Sequence, residues 1–169
     1  MPLDYHALSE DYNPKKKITK LLIGECPPHN GKTYFYLPAV PVREISMPST
    51  IFQHYIGRNP QTIPEYQSFL EKLFHNGIFL MDICDEPLHI ANHDFPGWVD
   101  PVQLEILKSR IPKLKEKIVK RQINISEVNI IFLPARNKYN TQIHQNFPAS
   151  QIISWANFRR SRELLKQKY

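Results

Sequence analysis

The sequence predicts an α/β chain built as three layers, α/β/α, around a short, mainly parallel central sheet. Three apolar runs, at 18–23, 78–81 and 128–134, each have the length of a buried strand. Each stops abruptly in glycine, proline or an acid. The segments between them place apolar residues at helical spacing. Strands alternating with helices in this way pair in parallel, and helices cover both faces of the sheet.

The first run ends in Gly24-Glu25-Cys26-Pro27-Pro28-His29-Asn30-Gly31. Gly24 has no Cβ and lets a ligand approach the backbone closely. Pro27 and Pro28 fix φ and pre-set the loop's shape. Glu25, Cys26 and His29 hang polar chemistry on that frame. Tyr34-Phe35-Tyr36 follows, read as core or loop packing, with Tyr36 a candidate face on which a base stacks. Pro48-Ser49-Thr50 introduces a helix to about Tyr55, and Gly57 lies just beyond it. Thr62, Pro64 and Glu65 form the next start signal, with Glu65 at capping-box spacing. Tyr66, Phe69, Leu70, Leu73 and Phe74 then mark a core stripe that ends at Gly77.

The second run leads directly into Asp82-Ile83-Cys84-Asp85-Glu86-Pro87. That places acids at the carboxyl end of a strand, where open α/β sheets bind ligands. Residues 88–98 read as an irregular loop containing His89, His93, Asp94 and Trp98. Asp100-Pro101 caps another helix, and Pro112 breaks or restarts it. Residues 113–121 hold five Lys and Arg against one acid, Glu116, and read as a solvated helix face. After the third run come a short helix around 138–144 and the loop Asn146-Phe147-Pro148-Ala149-Ser150-Gln151. A closing helix is expected from about 154 to 168, with Arg159, Arg160 and Arg162 on its outer side.

A length of 169 residues suits one domain with a real core. Residues 1–17, with the basic run Lys15-Lys16-Lys17, read as a flexible N-terminal arm, and 18–169 as the single domain. No apolar run approaches the ~20 residues of a membrane helix, and 1–17 holds no apolar block of a signal peptide. Two cysteines do not make a disulfide framework, so a reducing, cytoplasmic location is expected. The net charge of +6, from 22 Lys and Arg against 16 Asp and Glu, fits a polyanionic partner, nucleic acid first. No obligate protein partner is implied. His89 and His93 lie four apart without a C-x-x-C or H-E-x-x-H pattern, so no metal is expected. Gly31-Lys32-Thr33 matches only the tail of a phosphate-binding P-loop.

In order and spacing, residues 18–166 resemble the uracil-DNA glycosylase superfamily. Gly24-Glu25-Cys26-Pro27-Pro28 stands where that family has its water-activating loop, G-Q-D-P-Y or G-E-A-P-G. Gly77-Ile78-Phe79-Leu80-Met81-Asp82 looks like its base-reading strand, with Asp82 where the family usually has Asn. Phe147-Pro148-Ala149-Ser150 resembles its H-P-S loop, and Asn157-Phe158-Arg159-Arg160-Ser161 the helix after it. G-E-C-P-P-x-x-G followed by Tyr-Phe-Tyr is similar to a divergent bacterial branch. Cys26 occupies the place of the family's catalytic Asp, and Phe147 that of its His.

The resemblance implies hydrolysis of an N-glycosidic bond that releases a modified or damaged base from DNA, with no cofactor. Some members carry an iron–sulfur cluster, but two cysteines cannot supply four thiolates. Glu25 and Asp82 are the carboxylates expected to position water or stabilise a sugar cation. An ionised Asp82 only accepts, so it favours the donor edges of cytosine, adenine or guanine. Gly24, Cys26, Pro27, His29, Tyr36, Phe147 and Ser150 would surround the flipped base. Lys15, Lys16, Arg159 and Arg160 would meet phosphates. Two other readings stand beside this one: a non-catalytic nucleic-acid or nucleotide binding module on the same fold, and a hydrolase using Cys26.

Overall fold

The first strand, β1 (Lys20–Gly24), is almost wholly buried, and two other strands pair with it in parallel, β2 (Ile78–Asp82) and β3 (Asn129–Phe132). A two-residue strand, β4 (Gln151–Ile152), extends β3 in parallel and gives the order β2-β1-β3-β4. The computed structural model describes residues 4–12, 17–29, 33–37, 46–90 and 99–165. Lys15, Lys16, Gly31, Lys32, His93, Asp94 and Trp98, all weighed above, and the end of the expected closing helix from 166 on lie outside the described residues.

Local signals set the helices between the strands. In α2 (Met47–Ile56), Ser46 accepts from the Ser49 N–H, and Gly57 closes the helix at φ +89°, a conformation glycine adopts without strain. Thr62 caps α3 (Ile63–His75) by accepting from the Glu65 N–H. Asp100 does the same for two N–H groups of α4 (Pro101–Arg110). Pro112 follows that helix, and α5 (Leu114–Lys120) starts after it. Then come α6 (Asn140–Asn146) and α7 (Trp155–Arg160).

Helices lie against both faces of the sheet. Leu21 pairs with Phe79, so these two side chains share a face, and Lys20 points the other way. Lys20 lies 5.8 Å from the ring centre of Tyr55 in α2 and ion-pairs with Glu163, just past α7. On the opposite face the Arg121 guanidinium sits 5.1 Å over Phe79. The strand order agrees: β1 to β2 and β2 to β3 run in opposite directions, and right-handed crossovers then put α2 and α3 on one face and α4 and α5 on the other. The arrangement is α/β with a four-stranded parallel sheet, compatible with three α/β/α layers.

The structure departs from the sequence reading at both ends of the chain. Within the expected arm, Tyr5–Glu10 forms a helix, α1, capped by Asp4. It docks on the domain: Tyr5 donates its hydroxyl to the Pro28 carbonyl (2.9 Å), and Tyr34 donates to the Tyr5 carbonyl (3.0 Å). The closing helix ends at Arg160 with Ser161 as its cap, well short of 168. β4 falls in a stretch that reads as loop.

β2 is an edge strand, and side chains cover its outward backbone groups. The Tyr36 hydroxyl donates to the Leu80 carbonyl (2.7 Å) and accepts from the Leu80 N–H (2.9 Å). Lys117 donates to the Asp82 carbonyl (2.6 Å). An edge protected in this way cannot template a further strand.

Candidate functional site

In an open parallel sheet the ligand crevice opens where neighbouring strands send their connections in opposite directions. Here that point lies between the carboxyl ends of β1 and β3. Glu25 leaves β1 there and closes the gap. One carboxylate oxygen accepts from the Ala135 N–H (3.0 Å) and the Tyr139 hydroxyl, and the other from Arg136 (3.1 Å). The Glu25 side chain is only 11% exposed. Three donors from the loop after β3 thus hold the first candidate for activating water, so Glu25 ties two loops together instead of facing a substrate. The partners lie 110 to 114 residues away, and no local pattern announces them.

Several other expected contacts also turn inward. Phe147 is 4% exposed and packs against Phe132 at 5.3 Å, with Lys115 above its ring. It is a core residue and offers no face to a base. Tyr36 is buried among Tyr34, Phe35 and Phe79, with its hydroxyl committed to Leu80. The Ser150 hydroxyl donates to the Phe147 carbonyl (2.7 Å), which fixes the turn before β4. Burial pushes the Cys26 thiol up to about 12, so it packs as an apolar residue and is not poised as a thiolate. His29 stacks on His89 at 3.4 Å with its Nε2 3.0 Å from the Leu88 carbonyl. Arg159 and Arg160 lie on α7, on the far side of the sheet from α5, and line none of the groove described next.

Gly24 has a different use from the one expected. A Cβ there would collide with an Asp82 carboxyl oxygen. The missing side chain makes room for Asp82 and not for a ligand. Asp82 ends β2 and faces a recess of about 20 Å³, room for about one water. Pro27, Tyr34 and three α1 residues, Tyr5, His6 and Ser9, help to enclose it. Among the described residues no donor lies within hydrogen-bond distance of the Asp82 carboxyl. Burial raises its pKa to about 7; the nearby charges of Asp85 and Glu25 add to the rise, and Lys117 opposes it.

From this recess a groove of about 1080 Å³ runs out along α5. Asp85, Lys117 and Arg121 border both spaces. Six cations line the groove: Lys17, Arg110, Lys113, Lys117, Lys120 and Arg121. Four acids face it as well, Glu10, Asp85, Glu116 and Glu127. Lys117 pairs with Asp85 (2.5 Å), Arg110 with Glu86 (3.2 Å), Arg121 with Glu10 (2.5 Å), and Lys17 with Glu127. Lys113 and Lys120 make no ion pair among the described residues. The sequence shows why the cations project here. Ile111, Leu114 and Ile118 bury one side of the segment, so Lys113, Lys117 and Lys120 take the other. The charge run was visible in the sequence, but a solvated face and a groove wall have the same pattern. Residues of α1, the segment past β2, Lys17 and Ile18 ahead of β1, and residues 122–127 complete the groove.

The described residues contain no cluster of three or more His, Cys, Asp or Glu able to hold a metal ion, and no helix long and apolar enough to cross a membrane. Comparison with protein-family models, with curated proteins and with solved structures finds no match.

Proposed function

We propose that the protein binds nucleic acid along the groove beside α5. One observation carries this reading: a basic groove of about 1080 Å³ opens at the carboxyl end of β2, with six Lys and Arg on its walls. A polyanion gains there by displacing counterions, and the low-dielectric floor of the groove strengthens each contact. The test is fluorescence anisotropy with labelled single-stranded and duplex DNA over a range of salt. Binding should weaken steeply with salt and should weaken again in the Lys113→Gln, Lys120→Gln double variant.

Asp82 favours a second reading, hydrolysis of an N-glycosidic bond on the same ligand. A carboxyl with a pKa near 7 can both take and return a proton at neutral pH. In this scheme Asp82 accepts a proton as water oxygen bonds to the sugar carbon. The pair of the broken N-glycosidic bond goes to the base, and Asp82 returns the proton to that nitrogen. The resemblance to uracil-DNA glycosylases supports the scheme, but the size of the recess opposes it unless α1 moves, because a base needs far more room than one water. Alkali-labile sites in DNA carrying uracil, hypoxanthine, xanthine or alkylated bases, lost in Asp82→Asn, would favour it. Their absence on every substrate leaves the binding reading alone.

A further inference from the structure

Arg121 is the least exposed cation of the groove. Its side chain is 7% exposed, beneath a Glu10 side chain that is 44% exposed. The guanidinium donates to the Glu10 carboxylate (2.5 Å) and the Ser9 hydroxyl (2.9 Å), and its Nε has no hydrogen-bond partner among the described residues. Lys117 is arranged in the same way: its side chain, 20% exposed, ion-pairs at 2.5 Å with that of Asp85, which is 65% exposed. In both pairs the cation is fixed within the fold and the anion comes from the solvent side. A planar guanidinium fork suits phosphate oxygens as well as carboxylate oxygens. Arg121 and Lys117 also border both the groove and the Asp82 recess.

We infer that Arg121 and Lys117 form a phosphodiester subsite at the inner end of the groove, and that in the free protein the chain's own carboxylates, Glu10 and Asp85, fill it. This inference rests on the nucleic-acid reading above. A backbone phosphate entering the subsite takes Arg121 from Glu10. Glu10 is the last residue of α1, and its bond to Arg121 is one of the ties that hold the helix across the recess. The hydrogen bonds of Tyr5 to Pro28 and of Tyr34 to Tyr5 sit at the other end of the helix, and the Glu10 end keeps the Arg121–Ser9 bond and the stacking of Tyr12 on Tyr36. Phosphate binding therefore loosens the Glu10 end of α1, whose neighbour Ser9 lines the recess, and opens the recess to the groove.

The test measures a labelled 12-nucleotide single-stranded DNA against wild type, Glu10→Gln and Glu116→Gln at fixed low salt. Glu116 faces the same groove without touching Arg121, so its variant measures the bare effect of losing one negative charge. The subsite predicts that Glu10→Gln binds at least about fivefold tighter than wild type, and Glu116→Gln less than about twofold tighter. Hydrogen exchange on wild type should show faster exchange of residues 5–12 when the DNA binds. Equal gains for the two variants, or α1 exchange unchanged or slowed by bound DNA, overturn the subsite. DNA binding that depends on Lys113 and Lys120 would then leave the broader reading intact. No binding to any of the three proteins removes both.

Discussion

Replacing Asp82 by Asn should stabilise the protein above neutral pH and leave it nearly unchanged in acid. The folded carboxyl titrates near 7 and the ordinary value is 3.8. Between those pH values the folded state keeps a proton that the unfolded chain has already released. The unfolded state then binds fewer protons, so stability falls as pH rises through this window, and the loss is complete above about 7. At about 1.36 kcal/mol per pH unit, the whole displacement corresponds to at most about 4 kcal/mol. Part of the Asp82 side chain is reached by solvent, and screening reduces the expected cost to about 2 kcal/mol. Asn matches the shape of the protonated carboxyl and avoids the loss. For a chain of this size its Tm should exceed that of wild type by about 4–8 °C at pH 8 and by less than about 2 °C at pH 4.5. Thermal unfolding followed by far-ultraviolet circular dichroism at the two pH values measures this. Equal differences at both pH values, or an Asn variant less stable at pH 8, would refute a buried, donor-free carboxyl. A stabilising substitution at Asp82 would also mean that the native residue weakens the fold, as functional groups commonly do.

Two further substitutions and one chemical modification test how the site is framed. Glu25→Ala strands the Ala135 N–H, Arg136 and the Tyr139 hydroxyl together, and should cost about 2–4 kcal/mol in urea unfolding. A variant as stable as wild type would show that the tie between the two loops is not made. Tyr36→Phe leaves both outward backbone groups of Leu80 without a partner in a buried place, for a loss of about 2–3 kcal/mol. No loss of stability there would mean that water or another group caps the edge. Burial holds both thiols, Cys26 and Cys84, at about 12, so iodoacetamide at pH 8 should modify them far more slowly in the native protein than in urea. Rapid native alkylation of Cys26 would reopen its role as a nucleophile.

The sheet was legible in the sequence because its strands carry their own evidence. The runs around Leu21-Leu22-Ile23, Phe79-Leu80-Met81 and Ile130-Ile131-Phe132 are apolar throughout, as strands buried on both faces must be. Thr62 and Asp100 supply caps that act within three residues, a range that spacing alone can read; the cap of α2, Ser46, was missed for the Pro48-Ser49-Thr50 signal beside it. β4 is two residues long, Gln151 exposed and Ile152 half-buried, and nothing in Gln151-Ile152 marks it apart from pairing with Ile131 and Phe132. α1 is six residues long and takes its stability from Tyr34 and Arg121, both far away in sequence.

The candidate site was legible only where a residue's setting is fixed by a local pattern. The position of Asp82 at the end of β2 was legible because a strand running straight into acids is a local pattern. Glu25, Tyr36, Phe147 and Ser150 were placed around a pocket because polar and aromatic residues in stiff loops look the same whether they face a ligand or the protein itself. Long-range hydrogen bonds decide between the two. Arg136 and Tyr139 claim Glu25, and Leu80 claims Tyr36. The groove failed for the opposite reason, since 113–121 declares its charge but not what packs opposite it.

The most direct test of the account is the salt dependence of DNA binding, compared between wild type and the Lys113→Gln, Lys120→Gln double variant. If the groove holds the nucleic-acid backbone, log Kd rises linearly with log salt for wild type. The double variant then binds more weakly, with a slope lower by about two, one per lost phosphate contact. Wild type that fails to bind single-stranded or duplex DNA at low salt, or a double variant with the affinity and slope of wild type, would contradict it.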